Sequence, residues 1–286
     1  MREIKSLLDK KTLLNILRLA LGLLFLFSGF VKCVDPTGGA IKINDYFVAW
    51  GFDMPFGVCM VLSFAQNILE FIAGYLLIVG VYVKAASLVA MLFMCFFTPL
   101  TLYIALVNPV SDCGCFGDAV KLTNWETFFK NLVFLPISIV VFVWGRKVKF
   151  FYGKVRRAMV CGVGLLVSFV ISLLGITNEP LIDFRPYSVG VDIRKAMEIP
   201  ADAPLPEYKT TFILEENGEQ KEFDETTYPY NDSTWVYVDT HTEVISEGYV
   251  PPIKDFTLTH EVRGSLTDEI LTSQVPVMLA VAPSLE

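Results

Sequence analysis

Histidine is nearly missing from this chain. His241 and His260 are the only two in 286 residues, and both lie far from the six cysteines, the last of which is Cys161. Transition-metal sites built on nitrogen and sulfur need several such ligands converging, so no metal centre is expected. The chain has no Cys-x-x-Cys, and with no cysteine after Cys161 a thioredoxin-type active site is excluded from its last 125 residues. Basic residues are also scarce late in the chain. Residues 177–286 hold 7 Lys+Arg against 21 Asp+Glu, a balance of −14 that repels phosphates and excludes a nucleic-acid partner. Neither an internal repeat nor a pair of interrupted apolar segments is evident, which disfavours a proton-coupled transporter.

What the chain does have is apolar length. It is 53% hydrophobic, with a mean hydropathy of +0.53. Segments 13–31, 55–81, 86–107, 125–144 and 158–176 each supply the roughly 20 apolar residues that a membrane helix needs. The first offers no small-x-small cleavage site, and Lys32 before Cys33 spoils a lipoprotein signal, so it reads as an uncleaved span. Residues 1–176 carry a balance of +7. Their basic residues cluster at the N-terminus (Arg2, Lys5, Lys10, Lys11), at Lys84 and in "GRKVKFFYGKVRR", whereas the alternate connections mix Lys32, Lys42 and Lys121 with Asp35, Asp45, Asp53, Asp112 and Asp118. This bias predicts a multi-pass protein of the bacterial inner membrane, N-terminus cytoplasmic and acidic C-terminal part periplasmic.

On that topology four cysteines gather at the outer surface. Cys33 ends the first span, Cys59 begins the second, and Cys113 and Cys115 sit in the loop "NPVSDCGCFGDAVK". Cys95 and Cys161 read as small apolar packing residues. Disulfides persist on the oxidising side, and four thiols allow three pairings. A bond across Cys113–Gly114–Cys115 requires the loop to tighten, which Gly114 permits. Alternatively, the pair passes a bond to Cys33 or Cys59 as relay partners. Asp112 and Asp118 raise thiol pKa, with Lys121 or Lys32 as the local offset. A redox-active pair and a structural disulfide therefore both stay open.

Within the second span, Glu70 has Gln66 one turn away and Asn67 close by. A carboxyl at that depth faces the bundle interior, as a proton or quinone contact or as a helix–helix hydrogen bond. Glu126 and Lys130 are spaced as an ordinary helix pair. Tyr46, Trp50, Tyr103 and Trp125 read as an interfacial belt.

The stretch "LFLFSGFVKCVDPTGGAIKINDYFVAWGF" and the span "ILEFIAGYLLIVG" resemble the DoxX family of small bacterial membrane proteins, and "DCGCFGD" is similar to the cysteine loop of MauE, the methylamine-utilisation membrane protein. The resemblance covers roughly residues 13–145. It implies a four-helix membrane bundle with Cys113 and Cys115 at a redox centre. MauE-like proteins are associated with disulfide formation in a periplasmic dehydrogenase subunit, and a DoxX relative belongs to a thiosulfate:quinone oxidoreductase.

The expected organisation is a DoxX/MauE-like four-helix domain over 1–145, a basic cytoplasmic loop and fifth membrane helix over 146–176, a Pro-rich linker over 177–206, and a small β-rich (α+β) domain over 207–286. In the last, "YKTTFILEENGEQKEF" predicts a hairpin at Asn217–Gly218 and "STWVYVDTHTEVISEG" a second strand pair turning near Asp239–His241. "IKDFTLTHEVRGSLTDEIL" and the buried strand "VPVMLAVA" resemble the entry to thioredoxin-like and peroxiredoxin-like domains, broken off after the first core strand. A partner subunit, or further chain, is expected to complete that sheet. Asn231-Asp232-Ser233 matches a glycosylation sequon, read as chance.

Two functions follow. One is a thiol–disulfide redox protein or accessory that oxidises a periplasmic protein client, with a quinone as candidate acceptor near Glu70. The other is a non-enzymatic membrane scaffold whose β-rich domain docks a partner and whose cysteines form an inert disulfide. Both place the protein in contact with the lipid bilayer.

Overall fold

The computed structural model describes residues 2–110, 112–145, 153–178, 180–216, 218–230, 232, 234–246, 248–254, 256–260 and 262–279. Contacts divide the chain into two units, Met1–Arg185 and Pro186–Glu286. The boundary falls inside the proline-rich segment rather than at either of its ends.

The first unit holds α1 (Arg2–Val34), α2 (Pro36–Ala49), α3 (Phe56–Val79), α4 (Val83–Val107), α5 (Asn124–Trp144) and α6 (Lys154–Thr177). Every one except α2 contains a segment long and apolar enough to cross a bilayer, so the protein is a multi-pass membrane protein with its apolar surface in lipid. Among the basic residues used to orient it, Arg146, Lys147 and Lys149 lie outside the described residues. The helix α2 falls where only a connection was expected. Its start is nevertheless written locally: the Asp35 side chain accepts from Gly38 N–H at 2.9 Å, and Pro36 occupies the first helical position.

Close approach between α1 and α3 sets the bundle. A Cβ on Gly29 would overlap the Phe71 backbone, and one on Gly74 would overlap Leu26. Bare glycines thus let the two backbones touch, as membrane helices do where packing rather than water drives association. Around this seam Leu21, Phe25, Leu77, Val81, Ala90 and Val141 form the apolar core. The same seam brings α3's polar face, Asn67 and Glu70, against α1.

The second unit contains a three-stranded antiparallel sheet in the order β2 (Glu219–Asp224), β1 (Glu207–Glu216), β3 (Val236–Ser246). The hairpin between β1 and β2 forms in the expected register, Glu216 opposite Glu219, with Gly218 at φ +85°; Asn217 and two residues of the sequon, Asn231 and Ser233, lie outside the described residues. In contrast to the expected second strand pair, β3 runs straight through Asp239–His241 as one strand along β1, absorbing the irregularity as register shifts. Leu214 on β1 is buried, and Phe212–Tyr228 and Phe223–Trp235 stack edge-on at 4.9 and 5.0 Å. A short helix α7 (Ile193–Met197) lies within the expected linker, and its Ala196 carbonyl accepts from buried Ile253 at 3.2 Å. Beyond lie β4 (Thr259–His260), β5 (Gly264–Ser265) and α8 (Thr267–Leu271). The anticipated buried strand is not formed over 275–279, where Val275 and Met278 are exposed; residues 280–286 lie outside the described residues.

Candidate functional site: a thiol pair in the wall of an apolar cavity

The loop between α4 and α5 folds back over α1 and α2. Asp112 organises it: one carboxylate oxygen accepts from Gly114 N–H at 2.9 Å, and the other accepts from Lys42 Nζ of α2 at 2.8 Å. Gly114 adopts φ +65°, where a side chain would be strained and would press on the Lys42 stem, and Gly117 N–H closes a turn onto the Gly114 carbonyl. That turn brings Cys113 Sγ and Cys115 Sγ to 3.1 Å, both as free thiols. The Tyr46 hydroxyl of α2 donates to the Cys113 carbonyl at 3.1 Å, and Ser28 Oγ of α1 lies 2.7 Å from the Cys115 carbonyl.

Under the loop, Lys32 Nζ of α1 bridges both oxygens of Glu70 at 2.9 Å each, with both side chains under one-tenth exposed. Gln66 Nε2 donates to Glu70 at 3.0 Å, and Ser28 Oγ stands 2.7 Å from Glu70 Oε2. A buried ion pair of this kind survives only when its remaining hydrogen-bonding capacity is met. Here it is met on the carboxylate side. The Asn67 amide secures the backbone at the same level by donating to the Lys32 carbonyl at 2.8 Å.

Thiol pair and ion pair line one cavity of about 550 Å³, walled by Phe25, Phe47, Trp50, Phe93, Phe97 and Phe116 among others. Its size lies in the range of about 300–1,000 Å³ usual for small-molecule sites, and its apolar wall with a few convergent polar groups fits that class. The two sulfurs are not equivalent. A hydrogen bond from Cys113 holds the Cys115 thiol below its ordinary pKa, assisted by the positive charges of Lys130 and Lys32. The same bond, together with burial, pushes Cys113 up. Burial, first, and the neighbouring Cys113 sulfur raise Tyr46. The thiolate form is thus favoured at Cys115 over Cys113.

Other expected residues land elsewhere. Cys33 is buried beside Ser172 of α6, and Cys59 is buried with its Sγ 4.0 Å from Asn44 Oδ1; neither lines the cavity. Cys95 is exposed on the outside of the bundle instead of packing within it. The Glu126–Lys130 helix pair gives way to two separate contacts. Glu126 closes a capping box with Thr123, and Lys130 swings 4.3 Å over the Phe116 ring, towards Cys115. Tyr46 and Trp50, read as belt residues, form part of the cavity wall, while Tyr103 and Trp125 are exposed. In the sequence Lys130 reads only as the helix partner of Glu126, and the capping signal Thr123-x-x-Glu126 is what frees it from that i−4 neighbour.

Comparison with known families decides the identity of this bundle. Residues 10–145 match the family model described as methylamine utilisation protein MauE. They form a MauE-family domain. Residues 208–247, covering the three-stranded sheet, match a domain of unknown function, DUF8463. No curated protein and no solved structure matches the chain. The MauE match takes in α2, the Cys113–Cys115 loop, Lys32 and Glu70, whereas α6 lies beyond it.

Proposed function

We propose that this MauE-family protein is a thiol–disulfide oxidoreductase of the bacterial inner membrane, with the Gly114 loop and the C-terminal unit on the periplasmic side. One observation carries the reading: two unequal thiols in hydrogen-bond contact form part of the wall of an apolar cavity that also holds a buried ion pair. The cycle has two balanced exchanges. A client dithiol reduces the Cys113–Cys115 disulfide, so the client gains a disulfide and the protein two thiols. The sulfurs then pass two electrons to a quinone bound in the cavity, with one proton from the Cys113 thiol and one from water, which received it when Cys115 ionised, leaving disulfide and quinol. Cys115 starts the second exchange because the lowered pKa keeps it as thiolate. Cys113 supplies the remaining proton, and Lys32 and Lys130 hold the anion in place. Quinone supplies the oxidising power when bound; the chain supplies position and charge.

The test uses the protein in native membranes with a reduced periplasmic client. Cys113→Ser is expected to stop client oxidation, and the Cys113–Cys115 couple is expected to be comparatively oxidising. Oxidation continuing at the wild-type rate refutes the enzyme reading, and a bond that strong reductants barely open favours the scaffold. Orientation is read separately, by labelling the loop thiols with an impermeant maleimide from either side.

A further inference from the structure

Two walls of the cavity are also outer surfaces of the bundle. Leu62 and Leu69 of α3 and Leu92 and Phe96 of α4 all line the cavity, yet they are 44%, 48%, 57% and 61% exposed. All four lie inside membrane-spanning segments, so the medium they meet is hydrocarbon. Leu62 and Leu69 stand two helical turns apart, about 10 Å along the axis. Between α3 and α4 the cavity is therefore bordered, over about 10 Å along α3, by apolar side chains that also face the bilayer, and this border is the window through which a lipid-soluble molecule would enter.

The cavity also holds an unmet polar group. Asn131 of α5 is 1% exposed and lines the cavity, and its Oδ1 has no hydrogen-bond partner among the described residues. Its Nδ2 donates to Thr101 Oγ1 at 3.2 Å. The Thr101 hydroxyl already donates to the Phe97 carbonyl at 2.8 Å, so it has no hydrogen for the amide. The amide must turn its NH₂ to Thr101, which leaves the oxygen waiting for a donor. Burying an acceptor without a donor is costly, and no apolar lipid tail supplies one.

We propose that the cavity binds a lipid-soluble quinone through the α3–α4 window, and that Asn131 Oδ1 accepts a hydrogen bond from a ring hydroxyl of its reduced form. The oxidised ring has carbonyls, which are acceptors only, and cannot satisfy Asn131. The reduced ring has hydroxyls and can. Preferential binding of the quinol draws electrons from the thiol pair into the ring, because a ligand shifts an equilibrium by its differential affinity for the two states. The direction of electron flow rests on the redox reading above; the binding site itself does not need the cysteines.

The experiment is photolabelling of the full-length protein in lipid nanodiscs by an isoprenoid quinone whose tail carries a diazirine. Wild type and the Cys113→Ser/Cys115→Ser chain are expected to be labelled alike on α3 and α4 near the window, and excess unlabelled quinone is expected to compete. Asn131→Leu should weaken the reduced form about tenfold and the oxidised form much less. Should Asn131→Leu not fold, Leu69→Trp serves instead, expected to slow labelling by the tailed probe by a larger factor than it weakens binding of a tail-less quinone, and equal effects on the two overturn entry through the window. Label that quinone does not displace marks the cavity as lipid-filled and overturns the proposal, as does equal weakening of both redox forms. Client oxidation that depends on Cys113 but runs on a soluble oxidant with no competed label sinks this inference alone. Competed label together with client oxidation indifferent to Cys113→Ser sinks only the redox reading.

Discussion

Two ion pairs, one in each unit, set the halves of this molecule against each other. Lys32–Glu70 in the membrane bundle is almost fully buried, with side chains 9% and 5% exposed. Arg263–Glu269 in the C-terminal unit has a shorter contact, 2.7 Å against 2.9 Å, yet its side chains are 58% and 62% exposed. Distance would rank the second above the first. Environment reverses the order, because water screens the exposed pair and competes for its hydrogen bonds, whereas removing either buried partner strands a charge in a low-dielectric interior. In this chain polar side chains are informative where water is absent.

Substitutions can break that contrast. The largest effect is expected for Lys32→Met, which leaves Glu70 unpaired and should destabilise the bundle by about 3–5 kcal/mol; thermal unfolding in micelles measures it, and the Lys32→Met/Glu70→Leu double variant should recover much of the loss. Gly74→Val comes next. Its side chain would collide with the Leu26 backbone, and overpacking of this kind costs about 1–3 kcal/mol. That variant should also pull Glu70 away from Ser28, seen as faster modification of the loop thiols. A smaller change follows Lys130→Met. The Cys115 thiol, held down by Cys113 and by nearby cations, should react with iodoacetamide at a rate that rises with pH and levels off below the ordinary thiol range; without Lys130 that rise should move up by about half a pH unit to one unit. The smallest effect belongs to Arg263→Ala, expected within about 0.5 kcal/mol and vanishing in high salt. A loss as large as that of Lys32→Met would erase the contrast.

Much of the bundle is legible in the amino-acid order because bilayer thickness imposes a length that can be counted. The Asn217–Gly218 hairpin is legible for a comparable reason, since two-residue turns demand that chemistry. The site is only half legible. The spacing of Cys113 and Cys115 announces a close pair, but Lys32 meets Glu70 only because Gly29 and Gly74 let two helices touch across some forty residues of sequence. Short-range rules misled where a side chain had a better local offer: Glu126 turned to Thr123 and released Lys130. Asp239–His241 has turn-forming composition, yet pairing with β1 keeps it extended. Asp35–Pro36 carried a helix-start signal in a segment too short and too polar to draw attention as a span.

Ser28 has one hydroxyl hydrogen and two claimants, the Glu70 carboxylate and the Cys115 carbonyl. The hydrogen can serve only one of them at a time. Any shift of α3 that moves the Glu70 carboxylate therefore also changes the grip of α1 on the sulfur-bearing loop, through one oxygen atom.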